Sequence, residues 1–249
     1  MSVNGSSPTG DTMLATQELQ KRFGGVQATD SVSLNIQETE LRCIIGPNGA
    51  GKSTLFALLA GIHRPDHGRI FLKGEDVTRL PAFRRVRRGL GLTFQTNRAL
   101  HALTVRENLE TAPKRVRRAD ARELYTYALE AFDLSGDLDR IAAELPHHKL
   151  HWLEICMVLA SGPDLLMLDE PTAGMSPEET RATAEVIRAL NARGLTMIVV
   201  EHDMSFVREI AKTVTVLHQG RIFAEGDMDS VTSRNDVRDI YLGRVRAET

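Results

Sequence analysis

A chain of 249 residues, 42% apolar and 26% charged, is long enough to bury a full core and is composed like an ordinary soluble globular protein. Its formal net charge of −2 gives no reason to expect nucleic acid as a partner. No apolar run approaches the ~18 residues needed to span a bilayer, and Cys43 and Cys156 lie in apolar segments that favour buried thiols over a disulfide, as in a reducing compartment. The expectation is a cytosolic protein, or one held at a membrane only through a partner.

Residues 1–12 are rich in Ser, Gly, Pro and Thr, with no apolar core, and read as a flexible tail rather than a signal peptide. Strands are predicted at Leu14–Leu19, Val32–Ile36, Leu41–Ile45 and Arg69–Leu72, punctuated by Gly24-Gly25, Gly61 and Pro65. After the third strand comes Gly46-Pro47-Asn48-Gly49-Ala50-Gly51-Lys52-Ser53, then a helix over Ser53–Ala60. A further apolar run, Leu90–Phe94, leads to Gln95. From Val105 to Ala160 the pattern is helical, with helices predicted at Asp120–Phe132 and Leu150–Ala160. Strands return at Leu165–Leu168, Thr196–Val200 and Val214–Leu217, separated by helices over Pro177–Arg193 and Met204–Ala211. This alternation argues an α/β fold with a mainly parallel sheet and helices on both faces, the helical middle being an insertion.

The Gly46–Ser53 stretch fits the phosphate-cradling pattern G-x-x-x-x-G-K-[ST]. Its glycines let backbone N–H groups turn toward one anion. Lys52 supplies positive charge for the β- and γ-phosphates, the Ser53 hydroxyl suits Mg²⁺, and the following helix, opening at Ser53-Thr54, points its N-terminus at the phosphates. Ligands of open α/β sheets bind beyond the carboxyl ends of strands. Asp169-Glu170 closes one strand there, with Asp169 suited to hold Mg²⁺ and Glu170 to activate water. His202 follows another strand and suits a hydrogen bond to a γ-phosphate or the attacking water. Gln95 is placed to sense the metal or water.

In this order, phosphate loop, Gln95, helical insertion, Asp169-Glu170 and His202, the chain resembles the ATP-binding subunit of an ABC transporter over residues 13–243. The resemblance implies a P-loop NTPase core (13–95 and 161–249) with an N-terminal antiparallel β part and a helical subdomain over 96–160. It implies an ATPase using ATP and Mg²⁺, with Ser53, Gln95 and Asp169 at the metal, Glu170, His202 and Gln95 in catalysis, and Phe23 stacked on adenine beside the loop from Gly46 to Thr54. Ala173-Gly-Met-Ser176 resembles the loop that crosses to a second ATPase subunit. Further implied partners are transmembrane permease subunits and, through them, a substrate-binding protein, at the cytoplasmic face of the membrane. Glu40–Gly46, Trp152–Glu154, Ala173–Met175 and Tyr241–Gly243 resemble the importer branch for branched-chain amino acids and urea, more the urea type.

One segment departs from the family. Where members carry Leu-Ser-Gly-Gly-Gln or Leu-Ser-His-Gly-Gln, this chain has Leu145-Pro146-His147-His148-Lys149. Pro146 has neither a hydroxyl nor an N–H, and His148 adds bulk where backbone should approach phosphate. Lys149 or a histidine could restore part of the contact by charge. Because the resemblance implies that this segment serves the ATP held by the other subunit, a heterodimer with one competent and one weakened site is expected; the alternative is a weakly catalytic or regulatory subunit. Leu100, Leu103 and Val105 are candidates for receiving a helix of the membrane subunit. The basic runs 84–88 and 114–118 read as solvated faces.

Overall fold

The computed structural model describes residues 11–94, 98–112 and 118–241, with Tyr241 by its backbone alone. Strands β1 (Thr12–Phe23), β2 (Val26–Val32) and β3 (Asn35–Gln37) precede β4 (Leu41–Ile45), the glycine loop and helix α1 (Lys52–Ala60). β5 (His67–Leu72), β6 (Glu75–Asp76), α2 (Ala82–Val86) and β7 (Leu90–Leu92) follow. Helices α3 (Val105–Glu110), α4 (Ala121–Ala131) and α5 (His147–Ala160) form the middle. The last part runs β8 (Leu165–Asp169), α6 (Pro177–Ala192), β9 (Thr196–Val200), α7 (Met204–Ile210), β10 (Thr213–His218), β11 (Arg221–Gly226), α8 (Met228–Ser233) and α9 (Asn235–Tyr241).

β1, β2, β3, β5 and β6 make an antiparallel sheet, ordered β2-β1-β5-β6 with β3 on β1. The second sheet runs β11-β10-β4-β9-β8-β7 and is parallel except for the β10/β11 hairpin. Its strands are apolar without alternation because both faces are covered. Leu41, Cys43 and Ile45 of β4 join the core shared with α3–α7, whereas Ile44 joins the core under α1 and the antiparallel sheet. β8 and β9 divide the same way: Leu166, Leu168, Met197 and Val199 face one core, and Leu165, Met167, Ile198 and Val200 the other. Ile44 pairs with Val200, and Val200 with Asp169. The carboxyl ends of β4, β9 and β8 therefore finish level, bringing Gly46, Glu201 and Asp169-Glu170 to one edge.

The structure revises several local expectations. The single strand over Val32–Ile36 is two pieces, because β1 changes partner at Thr16. The Thr16 hydroxyl accepts from Leu34 N–H (2.8 Å) and donates to Val32 O (3.1 Å), pinning the crossover between β2 and β3. Helix α5 opens at His147 rather than Leu150, with Pro146 at its N-cap in extended geometry (φ −56°, ψ 153°). β11 pairs with β10 through a Gln219-Gly220 turn at φ 49° and 76°. Val105 belongs to the buried core, so it is no surface contact for another subunit; Leu100 is exposed and Leu103 half-buried. Cys43 and Cys156 are buried and unpaired, and burial pushes both thiols far up. Most of the flexible-tail expectation, Gln95, residues 114–117 and Leu242-Gly243 lie outside the described residues.

Candidate nucleotide site

The glycine loop has its shape because backbone approaches it from two sides. A Cβ on Gly46 (φ +155°) would sit 2.3 Å from Leu217 O, and one on Gly51 (φ +101°) 2.3 Å from Ala28 O. Gly220 N–H donates to Ala50 O at 2.9 Å, tying the loop to the β10/β11 turn. Gly51 caps α1 without any side-chain hydrogen bond, and the first turn of α1 carries no acid. Its N-terminal N–H groups thus meet no competing anion, which fits a phosphate. Asn48, Gly49 and Ser53 are exposed at the mouth; Pro47 and Thr54 are half-buried; Gly46 and Ala50 are buried. Lys52 is buried, and its Nζ donates to Gly46 O (2.6 Å) and Pro47 O (3.1 Å). Burial lowers its pKa, opposed by Glu170, Asp169 and Glu201.

Those three carboxylates and one ammonium make the site electrostatically acidic. Burial, then Glu170 and Glu201, push Asp169 up to about 6. Asp169 offers the kind of carboxylate oxygen a hard divalent cation takes, while among the described residues no group of three or more His, Cys, Asp or Glu side chains gathers as a metal site. Glu170 stands in the left-handed region at φ 48°, unusual for a side chain of this size, with its N–H donating to Val200 O (2.9 Å). His202 Nδ1 lies 3.5 Å from Glu170 Oε1 and 3.6 Å from Glu201 Oε2. The histidine ring is largely exposed.

Glu201 has a role that sequence reasoning did not assign to it. It is 1% exposed. Oε1 accepts from the Thr172 hydroxyl (2.6 Å) and Oε2 from the His202 N–H (2.8 Å). This one carboxylate fastens the loop after Glu170 to the backbone of His202. Its position at a strand end was visible in sequence, but its partner lies 29 residues away.

Phe23 is 44% exposed at the end of β1, with Lys21 Nζ 5.5 Å from its ring centroid and His63 edge-on at 5.4 Å. It offers an open aromatic face. A groove is lined by Val86, Leu90, Leu92, Phe94, Met157 and Val158. Glu154 of α5 also lines it; burial pushes its carboxyl up to about 7, with Phe94 N–H (3.4 Å) opposing the shift.

The segment Leu145–Lys149 is turned onto its own chain. Lys149 Nζ donates to Asp137 Oδ2 (2.7 Å) and Asp133 O (2.7 Å), which holds the Asp137 carboxyl below its usual range. The charge that sequence reasoning offered as a substitute phosphate contact is therefore already paired. His148 Nδ1 lies 2.5 Å from Glu179 Oε1.

A glycine cradle opening a helix at the carboxyl edge of a mainly parallel sheet, with acids on the neighbouring strands, defines a P-loop nucleoside triphosphatase. The chain belongs to the ABC transporter family, whose model matches residues 29–173. It is 35% identical to the high-affinity branched-chain amino acid transport ATP-binding protein BraF of Pseudomonas aeruginosa, and 35% identical to LivG of Escherichia coli, described in the same words. Each match covers 93% of this chain and 98% of the relative. Among solved structures, the ADP conformation of an ATP-binding cassette of an ABC transporter superposes with TM-score 0.81 at 29% identity, covering 93% of this chain and 99% of that one. The protein is an ATP-hydrolysing subunit of an ABC importer. Among the described residues no helix is long and apolar enough to cross a membrane.

Proposed function

We propose that this subunit powers import of a branched-chain amino acid, the cargo named for its relatives, with urea as the competing solute. The observation that carries the ATPase chemistry is the convergence of Lys52, Asp169, Glu170 and His202 on the rim of one phosphate loop. Backbone N–H groups of 46–54 hold the phosphates and Lys52 swings from Gly46 O onto them. Phe23 receives the adenine. Mg²⁺, when bound, supplies charge neutralisation at the phosphates; Ser53 and Asp169 would hold it, with Gln95 as a further candidate ligand. Glu170 accepts a proton from the attacking water as its oxygen bonds the γ-phosphorus and the bond to the bridging oxygen breaks, leaving ADP and phosphate. His202, beside Glu170, steadies the γ-phosphate.

The subunit works with a second ATPase subunit and with permease subunits at the cytoplasmic membrane face, a binding protein delivering solute to them. The permease helix sits in the groove between Leu90 and Val158. Pro146 leaves the half-site lent to the partner short of a hydroxyl, which favours a heterodimer whose other chain has the full motif. The test is ATP-driven uptake by vesicles carrying the complex, with leucine and urea compared. Uptake of leucine that stops in Glu170→Gln supports the proposal; uptake of urea alone, or of neither, sinks the cargo assignment.

A further inference from the structure

Helices α5 and α6 are joined by two polar rungs that nucleotide chemistry does not call for. At the first, His148 Nδ1 meets Glu179 Oε1 at 2.5 Å. The same Glu179 closes a capping box: Oε2 accepts from Ser176 N–H at 2.8 Å, and Glu179 N–H donates to Ser176 Oγ at 3.3 Å. One turn on, Trp152 Nε1–H donates to Thr183 Oγ1 at 2.9 Å, and the Thr183 hydroxyl reaches Glu179 O at 2.8 Å. The rungs stand at i and i+4 on both helices, so one face of each engages the other. The His148 and Trp152 rings meet edge-on at 4.7 Å, and Trp152 stacks on buried Phe132 at 4.9 Å. Beside them the His147 ring lies 3.6 Å from where a Cβ on Gly174 would be.

We propose that His148 is a positioning residue: through Glu179 it fixes the start of α5 to the cap of α6, so that residues 145–149 and the 173–176 loop move as one body. This rests on the reading that both segments face the partner subunit's nucleotide. A glycine at 148 has no side chain with which to make this contact. The histidine that replaces it is committed to its own chain: its ring nitrogen is on Glu179 and its edge on Trp152, so it is held away from a phosphate across the interface. Turning α5 against α6 would break both rungs together, a cooperative penalty that a single contact would not impose. The chain thus exchanges a close backbone approach for a fixed distance between its two partner-facing segments.

Two measurements test this. In the isolated chain, thermal unfolding of His148→Ala, Glu179→Gln and the double variant closes a cycle; Gln at 179 keeps the capping box. The double variant is expected to melt no lower than the worse single variant, while ATP affinity of the chain's own phosphate loop is unchanged in all three. In the purified complex with its permease subunits, His148→Ala, His148→Gly and Glu179→Gln are each expected to lower kcat about three- to tenfold with KM for ATP unchanged. Additive melting losses would remove the contact, and an unchanged kcat would remove its role. A kcat that rises in His148→Gly would also overturn the proposal, because the histidine would then obstruct rather than position. A wild-type complex without ATPase activity would take away the functional reading and the positioning role with it, while the melting cycle would still decide the contact.

Discussion

The phosphate loop and the Leu145–Lys149 segment, which would meet nucleotide from opposite sides of the proposed two-subunit site, are built in opposite ways. The loop is shaped by backbone: Leu217 O and Ala28 O press so closely on Gly46 and Gly51 that no side chain fits. The segment at 145–149 instead spends its side chains on its own chain, Lys149 on Asp133 and Asp137 and His148 on Glu179. A half-site made of main chain is rigid in sequence. A half-site that depends on one hydroxyl and one close glycine can lose both and still fold.

The most severe way to break this comparison is at the loop. Gly51→Val puts a side chain onto the Ala28 backbone oxygen at a left-handed φ, a clash the rigid main chain cannot relieve by a rotamer change. ATP binding by isothermal titration should become undetectable, while Gly136→Ala, where nothing lies within 4 Å and the backbone is not left-handed, should bind within about twofold of wild type. Retained affinity in Gly51→Val would show that the cradle is not what holds the phosphates. Glu170→Gln comes next. It keeps the size of the side chain but cannot accept the proton, so turnover should fall about a hundredfold or more while ATP stays bound. Phosphate release and retained radiolabelled ATP check the two halves of that statement, and a regulatory subunit would show no change in either.

Much of this was legible in sequence, and the reason is physical. Leu41–Ile45 and Thr196–Val200 are buried on both faces, so their limits in sequence are their limits in the sheet. Lys52, Asp169 and Glu170 sit next to the strand or loop that positions them, and local order carries their placement. What escaped depends on distant pairing. β11, Arg221-Ile-Phe-Ala-Glu-Gly226, is an edge strand whose burial is partial and whose turn is Gln-Gly rather than a strong hairpin signal. Glu201 gains its meaning only from Thr172. His148 looked like bulk in place of glycine; Glu179, on another helix, makes it a contact.

A smaller effect tests the far part of α5, where Glu154 lines the groove. Its carboxyl stands at about 7 against an ordinary 4.5, with burial as the main cause. The folded state therefore holds a proton that the unfolded chain has released between about pH 4.5 and 7. Stability should fall as pH rises through that window, by at most ~3 kcal/mol for a shift of this size, and level off above it. Glu154→Gln removes the ionisation while its amide oxygen still accepts from Phe94 N–H, so the fall attributable to this group should vanish from urea midpoints measured at pH 5, 6, 7 and 8. An identical slope in the variant would place the titration elsewhere. If the slope goes, α5 carries a buried acid with a raised pKa at this groove as well as its rewired start.

Pro146→Ser probes the rewired start most gently. Pro146 occupies the N-cap of α5, where serine is among the preferred residues, so the change should stabilise the chain by about 1 kcal/mol through its own helix. The hydroxyl can also meet a phosphate across the interface, and one hydrogen bond to a charged group is worth about 1.5–3 kcal/mol, or roughly tenfold or more in rate if it forms in the transition state. The same oxygen cannot serve both ends fully, so the two readouts compete. A higher Tm with unchanged ATPase in the complex means the serine caps its own helix and the lent half-site is not limiting. A several-fold faster ATPase means it is. Because Pro146→Ser leaves His148 and Glu179 in place, this result separates the missing hydroxyl from the histidine, which a simultaneous His148→Gly would confound.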